Sequence, residues 1–494
     1  MTALAAAERV IDASGVAPET EALLPAGARP LSVRTLLAGM MLTLGDGRPA
    51  HLTRVHQALV SLPEGEQRRL GVLADWKGRP HRLTYRQAEY TFGLVTRALG
   101  KEQPDGQPSR ELQRACDALL EASVPQELKD ASRSLAVDWT DLESFSRPPP
   151  RGTSDCAGPE ASWGHRKNNL LHDEDELFFG YYLSAAVMAP DEGGPPAPEL
   201  ARRMTLSSCR HDPVPAFAGV LTAMPAAGIP PGDVLADSGY SHRIPQNWAA
   251  PLRAAGASLV QDLHPHDRGP KGTHAGAIIS NGNLYCPATP RTLLEPGPLA
   301  RTATPEQATA HDAKTAEAAR YKLGRLTRDD ADGYHRAQCP AVTGKIRCPL
   351  QPPSMTLDRD RPEILQPPEH PQACCTQQAI TVPADVAAKT RQKHDYPSAA
   401  WRRSYSRRTA AERVFATIKD PATSDIARGW CRLMGLAPLM LFTTALLAVR
   451  NQRILTAWDA RQEENTRRAA RGQPPKTRRR RRKTPAALTA AAPP

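Results

Sequence analysis

Four polar residues near the C-terminal end of the sequence share one face of a predicted helix. At 100° per residue, these side chains fall within about 60° of one another: Tyr405, Arg408, Glu412 and Lys419. The guanidinium and the ammonium can hold phosphate oxygens, the phenol can donate a hydrogen bond, and the carboxylate can ligate a metal ion. The helix is therefore predicted to bind phosphate groups and to provide one carboxylate as a metal ligand.

A simpler interpretation applies to the same helix. Thr409 and Glu412 have the spacing of a capping box, in which the Glu412 side chain only caps a helix that begins at Thr409. Surface helices with mixed charges are also common. Val414, Phe415 and Ile418 form a separate apolar arc, which predicts that this side of the helix is anchored to a core.

The spacing of the polar row resembles a family signature. Tyr405-x2-Arg408-x3-Glu412-x6-Lys419 is similar to the Y-x2-R-x3-E-x6-K pattern of DDE transposases from bacterial insertion sequences. Four residues at three fixed gaps are much more specific than a single triplet. The resemblance covers about residues 130–456. It implies that Arg408 and Lys419 hold phosphates around the cleaved bond and that Tyr405 donates a hydrogen bond to one of them.

Two aspartates complete the site that the resemblance implies. Asp138, in a D-x-T motif, and Asp237, in a D-x-G-Y motif, resemble the first and second acid motifs of the family. With Glu412 they would bind two Mg²⁺ or Mn²⁺ ions, which activate the attacking oxygen and stabilise the leaving oxygen. Taken alone, an acid at a strand end is more often a turn former or a helix cap. Nearby acids lack the motif context and rank lower: Asp141, Glu143, Asp233 and Asp262.

Periodic apolar patterns predict the elements that must position these residues. The order is three strands, a helix, a strand, a helix and a strand: residues 134–140, 178–188, 204–209, 215–227, 233–237, 244–255 and 258–263. The pattern alone indicates a mixed α/β domain. The resemblance implies an RNase H-like catalytic core made of residues 130–265 and 401–456. One or two helices over 426–455 are predicted to pack against that core.

The regular pattern dissolves between the last predicted strand and the acidic helix. Residues 266–400 are rich in proline and glycine, with short strand-like pieces over 277–285 and 379–382. This segment is predicted to be an inserted, partly β subdomain, and the resemblance implies an insertion at the same place. The histidines of its first loop are predicted to be exposed to solvent rather than metal ligands: His264, His266 and His274.

Five of the nine cysteines lie in the insertion. Cys-Pro steps at three of them resemble knuckle turns, so one interpretation is a structural zinc site with four ligands: Cys286, Cys339, Cys348 and Cys374. The alternative is that these are ordinary reduced cysteines. The absence of a C-x2-C pair, the stronger zinc signature, favours that alternative.

The two ends of the chain differ in composition. Residues 1–125 show helical spacing over 31–44, 52–62, 67–76 and 85–99, which predicts a helical N-terminal domain. Its basic residues would suit DNA phosphates, although the solvated face of a helical bundle has the same composition: Arg68, Arg69, Lys77, Arg79 and Arg82. Residues 457–494 are predicted to be a basic, disordered tail, since eleven Lys or Arg stand against two Glu from Arg461 onward.

Composition also bears on the compartment. The longest apolar run, residues 433–449, contains a glycine, a proline and two threonines, which favours a buried helix over a membrane span. The N-terminal residues lack the basic region of a secretory signal. An odd number of scattered cysteines does not indicate a disulfide framework. We therefore expect a cytoplasmic, nucleoid-associated protein without a membrane partner.

These observations lead to one expected function and two alternatives. The resemblance implies a transposase that binds the ends of an insertion sequence as double-stranded DNA, cleaves them and joins the freed 3′-hydroxyl to target DNA. A homodimer on DNA is expected because two ends must be held together. The alternatives are an inactive relic that only binds DNA and a metal-dependent nuclease of the same fold that never joins strands.

Overall fold

The computed structural model describes residues 2–27, 30–76, 79–101, 106–150, 153, 156–167, 175–300, 302–330 and 332–476. Lys77 and the basic run 478–483 lie outside these ranges. Helices and strands alternate in the central part of the chain, which confirms the predicted mixed α/β class. No helix within the described ranges is long and apolar enough to cross a membrane.

The N-terminal part is helical, with one short antiparallel hairpin. Its elements are α1 (Ala3–Ser14), α2 (Val16–Ala22), α3 (Val33–Gly45), α4 (Leu52–Val60), α5 (Glu64–Arg69), β1 (Leu73–Trp76), β2 (Arg79–Arg82), α6 (Tyr85–Leu99), α7 (Arg110–Ala122) and α8 (Gln126–Ala131). The prediction of one helix over 67–76 is wrong. Gly71, with a φ of +72°, turns the chain between α5 and β1.

A mixed sheet forms the centre of the molecule. In the described part of the chain it has six strands: β3 (Leu135–Glu143), β4 (Ser162–Lys167), β5 (Asp175–Met188), β6 (Ala201–Ser208), β7 (Asp233–Ala236) and β8 (Ser258–Gln261). The order is β4-β5-β3-β7-β8, and β6 also pairs with β5. β5 is antiparallel to β3, β4 and β6, whereas β3, β7 and β8 run parallel. The sequence pattern did not predict β4.

Helices cover both faces of the sheet. The first pair is α9 (Pro213–Thr222) and α11 (Ala249–Ala254), which pack with Leu135 and Val137 of β3. Between β7 and β8 lies also the short α10 (Ser238–Ser241). Ala136 points to the other face, because alternate residues of a strand face opposite sides. That face is covered by α16 (Thr409–Lys419) and α17 (Leu436–Ala470), and the same apolar core continues into the N-terminal helices.

The insertion contains two small antiparallel sheets and several helices. Its strands are β9 (Pro270–His274), β10 (Ala277–Ser280), β11 (Asn283–Tyr285), β12 (Gly324–Arg325), β13 (His335–Gln338) and β14 (Ile380–Val382). Its helices are α12 (Arg291–Leu294), α13 (Pro305–Arg320) and α14 (Ala373–Thr376). The pattern missed α13, in which Ala318 is the buried residue, although the Thr304–Gln307 capping box marks its start.

The C-terminal helix differs from the prediction at both ends. Residues 426–435 are not helical, and Gly429 and Gly435 have φ values of +94° and +97°. α17 then continues to Ala470, so residues 457–470 are not part of a disordered tail. Those residues are mainly Ala, Arg, Glu and Gln, which are strong helix formers and extend a helix whose first half is buried.

Candidate active site at the carboxyl ends of the parallel strands

The sheet brings the two predicted aspartates together. β3 pairs with β7 so that Ala136 lies opposite Leu235, and both strands run in the same direction. Two residues further along each strand are Asp138 and Asp237. Both side chains are half-buried at the same edge of the sheet, where the pairing of the two strands ends.

A third aspartate occupies the same edge. β8 runs parallel to β7 with Ala236 opposite Gln261, so Asp262 lies directly beyond its strand. Its Oδ1 accepts a hydrogen bond of 2.9 Å from the Tyr396 hydroxyl and lies 3.4 Å from Arg268 Nη2. The sequence ranked Asp262 lower because it lacks a motif. Its position near the end of the predicted strand 258–263 was the signal that could have raised it.

Arg408 joins the sheet to the acidic helix. Its Nη1 lies 3.3 Å from Asp138 Oδ2, and its Nη2 donates a hydrogen bond to Glu412 Oε1. Only 9% of Arg408 is exposed. The guanidinium therefore stands between the carboxylates of Asp138 and Glu412, and it holds the two acids in one site without bringing them into direct contact.

The electrostatics of the site reflect buried acids that repel one another. Burial, together with the negative charge of Asp237, raises the pKa of Asp138 to about 7, while Arg408 opposes this shift. Burial also raises the pKa of Asp237, and Arg408 and the amides of Gly239 and Tyr240 oppose it. One guanidinium does not fully compensate these carboxylates, so a further cation at the edge would stabilise their ionised forms.

Asp237 has a local role as well as its place at the sheet edge. Its Oδ1 accepts a 2.9 Å hydrogen bond from the Gly239 amide, which caps the short helix α10. A Cβ at Gly239 would lie 2.4 Å from the ring of Trp139. The Trp139 ring in turn packs edge-on against Tyr240, with 4.6 Å between centroids. The neighbours of the two aspartates are thus packed against each other.

The capping box proposed as an alternative for Glu412 is wrong. α16 begins without a side-chain cap: the Thr409 hydroxyl donates to the Ser406 carbonyl over 3.1 Å, and the Glu412 side chain contacts Arg408. The single helix predicted from Tyr405 to Lys419 is also interrupted. The helix α15 (Ala399–Tyr405) leads into a 3₁₀ turn over Ser406–Arg408 before α16 starts.

The other two residues of the signature have different surroundings: Tyr405 lies beside Arg408, whereas Lys419 contacts an acid outside the predicted triad. Tyr405 stacks on Trp401 with ring centroids 4.7 Å apart, and the Arg408 guanidinium lies 5.6 Å from its ring centre. Lys419 Nζ instead lies 2.6 Å from Asp141 Oδ1, three residues beyond Asp138 on β3. Asp141 also pairs with Arg166 at 3.1 Å. The predicted phosphate ligand Lys419 is therefore held by a carboxylate that the sequence ranked lower.

The tightest group of metal-ligating side chains lies elsewhere. Among the described residues, the ligand atoms of His242, His264 and Asp267 all lie within 4.8 Å of one another, and no other set of three does. Asp267 already has two partners, since its Oδ2 lies 3.3 Å from His242 and its Oδ1 2.8 Å from Lys389. Asp138, Asp237 and Glu412 share one site, but their carboxylate oxygens do not all lie within this limit of one another.

Two of the basic residues that would suit DNA phosphates are paired within the N-terminal part. Arg68 lies 3.1 Å from Glu64, and Arg69 contacts Glu8 at 2.7 Å and Glu66 at 2.6 Å. Their charges are therefore partly compensated by neighbouring carboxylates. Arg79 and Arg82 lie on the exposed strand β2.

The five cysteines of the insertion are all buried. Cys286, Cys339 and Cys348 belong to one apolar cluster, and Cys374 and Cys375 to a second one.

No known protein family matches this chain, and no curated protein is measurably similar to it. Its function therefore has to be inferred from the residues and the geometry.

Proposed function

We propose that this protein is a DDE-type DNA transposase that cleaves the ends of an insertion sequence and joins them to target DNA. The observation that carries the proposal is the convergence of three motif acids from distant parts of the chain. Asp138 lies within β3 and Asp237 directly after β7, both just beyond the paired residues of these two parallel strands, and Arg408 ties Glu412 to Asp138. These are the residues, in the same order, that the signature resemblance implies.

The arrangement of elements supports an RNase H-like core. Apart from the additional strand β4, the chain runs through three strands, a helix, a strand, a helix and a strand: β3, β5, β6, α9, β7, α11 and β8. The acidic helix α16 then packs on the other face, against β3 and β5. This is the order that the resemblance implies, including an insertion before the helix that carries the last acid.

The donor set suits a hard divalent cation. Asp138, Asp237 and Glu412 offer carboxylate oxygens, which Mg²⁺ and Mn²⁺ prefer. Burial raises the pKa of both aspartates, so a bound cation would stabilise their ionised forms. When bound, a pair of such ions activates the attacking oxygen and stabilises the leaving oxygen of the phosphodiester. A metal-loaded site would release Arg408 from its carboxylates, so that its guanidinium can hold a phosphate oxygen.

The partner of this site is double-stranded DNA, and the chain carries a net charge of +12. Phosphate neutralisation by Lys and Arg provides most of the sequence-independent affinity for DNA. The basic run 478–483, which follows α17 in the sequence, supplies such a segment. We infer a homodimer on DNA, because joining two element ends requires two active sites, and a location in the cytoplasm at the nucleoid.

A cleavage assay with labelled DNA tests the proposal. The DNA that flanks the coding sequence is searched for inverted repeats, and the labelled ends are incubated with the full chain and Mg²⁺. Cleavage followed by joining of the 3′ end to a target plasmid is expected. Cleavage without joining would indicate a nuclease, and binding without cleavage would indicate an inactive relic. Either result would contradict the transposase assignment.

A further inference from the structure

Three cysteines of the insertion share one local structure. Each is followed by proline, and the chain then turns so that a later amide donates to the cysteine carbonyl, at 3.0 Å for Cys286, 3.1 Å for Cys339 and 2.9 Å for Cys348. In each turn, the amide two residues beyond the cysteine also donates to its sulfur and lowers the pKa of the thiol: Ala288, Ala341 and Leu350. Amides directed at sulfur stabilise a thiolate.

The three turns come from separate parts of the insertion and meet in one place. Cys286 follows β11, Cys339 follows β13, and Cys348 lies in the loop after it. All three are buried in the same apolar cluster, with Ile346 fully buried among them. Three polarisable thiols in an apolar interior are expensive to ionise, and burial raises the pKa of the Cys286 thiol to about 12.

Cys375 on α14 is the fourth member of the group. The Gln351 side chain donates to the Cys375 carbonyl over 2.7 Å and ties α14 to the Cys348 turn. Negative charge on Cys375 raises the pKa of Cys286, Cys339 and Cys348 alike, and these three affect one another in the same way. All six pairs among the four thiols are therefore close enough to interact electrostatically.

Cys374, the fourth ligand in the zinc interpretation of the sequence, lies beside Cys375. Its sulfur lies 3.7 Å from that of Cys375, and a hydrogen bond from Cys374 lowers the pKa of Cys375 to about 7. The Cys374 sulfur also lies 3.3 Å from the position that a Cβ would take at Gly276. The Cys374 sulfur thus lies against Gly276 and beside Cys375, where it can donate a hydrogen bond to the Cys375 sulfur.

We propose that Cys286, Cys339, Cys348 and Cys375 bind one structural zinc ion, with Cys374 as a hydrogen-bond donor to the fourth ligand. Four thiolates are a common closed set for Zn²⁺, and the Cys-Pro turns supply the amide donors that such ligands need. Each thiol gives its proton to solvent and its sulfur lone pair to zinc, so the metal compensates the charge that the apolar interior disfavours.

Zinc binding requires an inward movement of the thiols. Among the described residues, no three of these four sulfurs all lie within 4.8 Å of one another. Tetrahedral ligands at a Zn–S distance of about 2.3 Å are separated by about 3.8 Å. Because the thiols lie at the ends of short side chains in tight turns, rotation about their χ1 angles is the movement expected. The zinc would connect β11, β13 and α14, which otherwise belong to different small sheets and loops.

Metal analysis of the full-length chain without a histidine tag tests this proposal, and it needs no DNA. About one zinc per chain is expected from mass spectrometry of the metal content. Each of four variants should lose most of that zinc: C286S, C339S, C348S and C375S. The matched control C374S keeps a hydroxyl donor and should retain zinc, as should C156S, which lies outside the insertion. Full zinc in C375S with loss in C374S would overturn the choice of the fourth ligand.

A measurement on the unaltered protein covers the case in which a variant fails to fold. Titration of the native chain with an organomercurial should release zinc in step with thiol modification. Replacement by Co²⁺ should give the visible absorption of a tetrahedral thiolate complex. A wild-type chain without zinc, or one that holds iron in its place, would overturn the proposal. Because the readout is metal content, failure here would leave the proposed DNA chemistry untouched.

Discussion

Arg408 Nη1 lies 3.3 Å from Asp138 Oδ2, across 270 residues of sequence, and the same guanidinium holds Glu412. This contact links the first and last acids of the predicted triad through one buried cation. The guanidinium also compensates part of the charge of the converging carboxylates.

The acids should be essential for DNA cleavage but not for folding. Asp138→Asn and Asp237→Asn each remove one negative charge with almost no change in shape. We expect cleavage to fall by at least about 10³-fold, because electrostatic stabilisation of the transition state is lost. Glu143→Gln is the matched control, because Glu143 lies on the same strand and pairs with Arg166. Comparable loss in this control, or retained cleavage in Asp138→Asn, would contradict the assignment.

Asp138 should make the stability of the metal-free chain depend on pH. Its pKa is raised from an ordinary 3.8 to about 7, so the folded state binds the proton more tightly than the unfolded state. Stability is therefore lost as pH rises from about 4 to 7 and stays reduced above it. In EDTA at pH 8, Asp138→Asn should be more stable than wild type by roughly 2 kcal/mol in urea unfolding.

Measuring the stability difference between wild type and Asp138→Asn at two pH values separates the contribution of Asp138 from that of the other titratable groups. At pH 4 the stability difference between wild type and Asp138→Asn should nearly vanish, because the native aspartate is then protonated in the folded chain. Addition of Mn²⁺ at pH 8 should stabilise wild type but not the variant. A stability difference that is independent of pH would show that Asp138 does not have the raised pKa.

Gly239 should tolerate no side chain. A Cβ at this position would lie 2.4 Å from the Trp139 ring. We expect Gly239→Ala to cost about 1–3 kcal/mol, measured by urea unfolding, because overpacking forces the ring to move. Shortening the neighbour in the double variant Gly239→Ala with Trp139→Leu should recover part of this loss. Gly219→Ala on α9, where nothing lies within 4 Å, is the control and should not destabilise the chain.

Lys419 should contribute to DNA affinity through its charge. Lys419→Ala is expected to weaken binding to all sequences about equally and to lower the slope of log affinity against log salt by about 1. Asp141→Asn removes the carboxylate that now holds Lys419 at 2.6 Å and should leave binding unchanged or tighter. Fluorescence anisotropy at several salt concentrations measures both. An unchanged salt slope in Lys419→Ala would assign this lysine a purely structural role.

The sequence predicted those helices, strands and short-range contacts that local patterns determine. The helix α6 has the predicted bounds, and the strands that carry Asp138 and Asp237 were found from their apolar runs. Arg408, the last residue of the 3₁₀ turn before α16, reaches Glu412 because the two are four residues apart. The resemblance supplied the link between these acids, since nothing in their local patterns connects residues so far apart in the chain.

The contacts that the sequence missed depend on register and on competing partners. Lys419 pairs with Asp141 because α16 packs across β3 at a particular position along the strand. No local sequence pattern encodes that position. Asp262 reaches the same edge as Asp237 through the pairing of β7 with β8. The extension of α17 to Ala470 was missed because the count of basic residues suggested a tail, whereas helix propensity and the buried first half decided the outcome.

Anomalous diffraction from crystals grown with Mn²⁺ tests the central claim most directly. The account predicts manganese peaks within bonding distance of Asp138 and Asp237, with Glu412 turned toward them and the Arg408 guanidinium displaced. The absence of any peak at this edge, with manganese bound only by His242, His264 and Asp267, would contradict it.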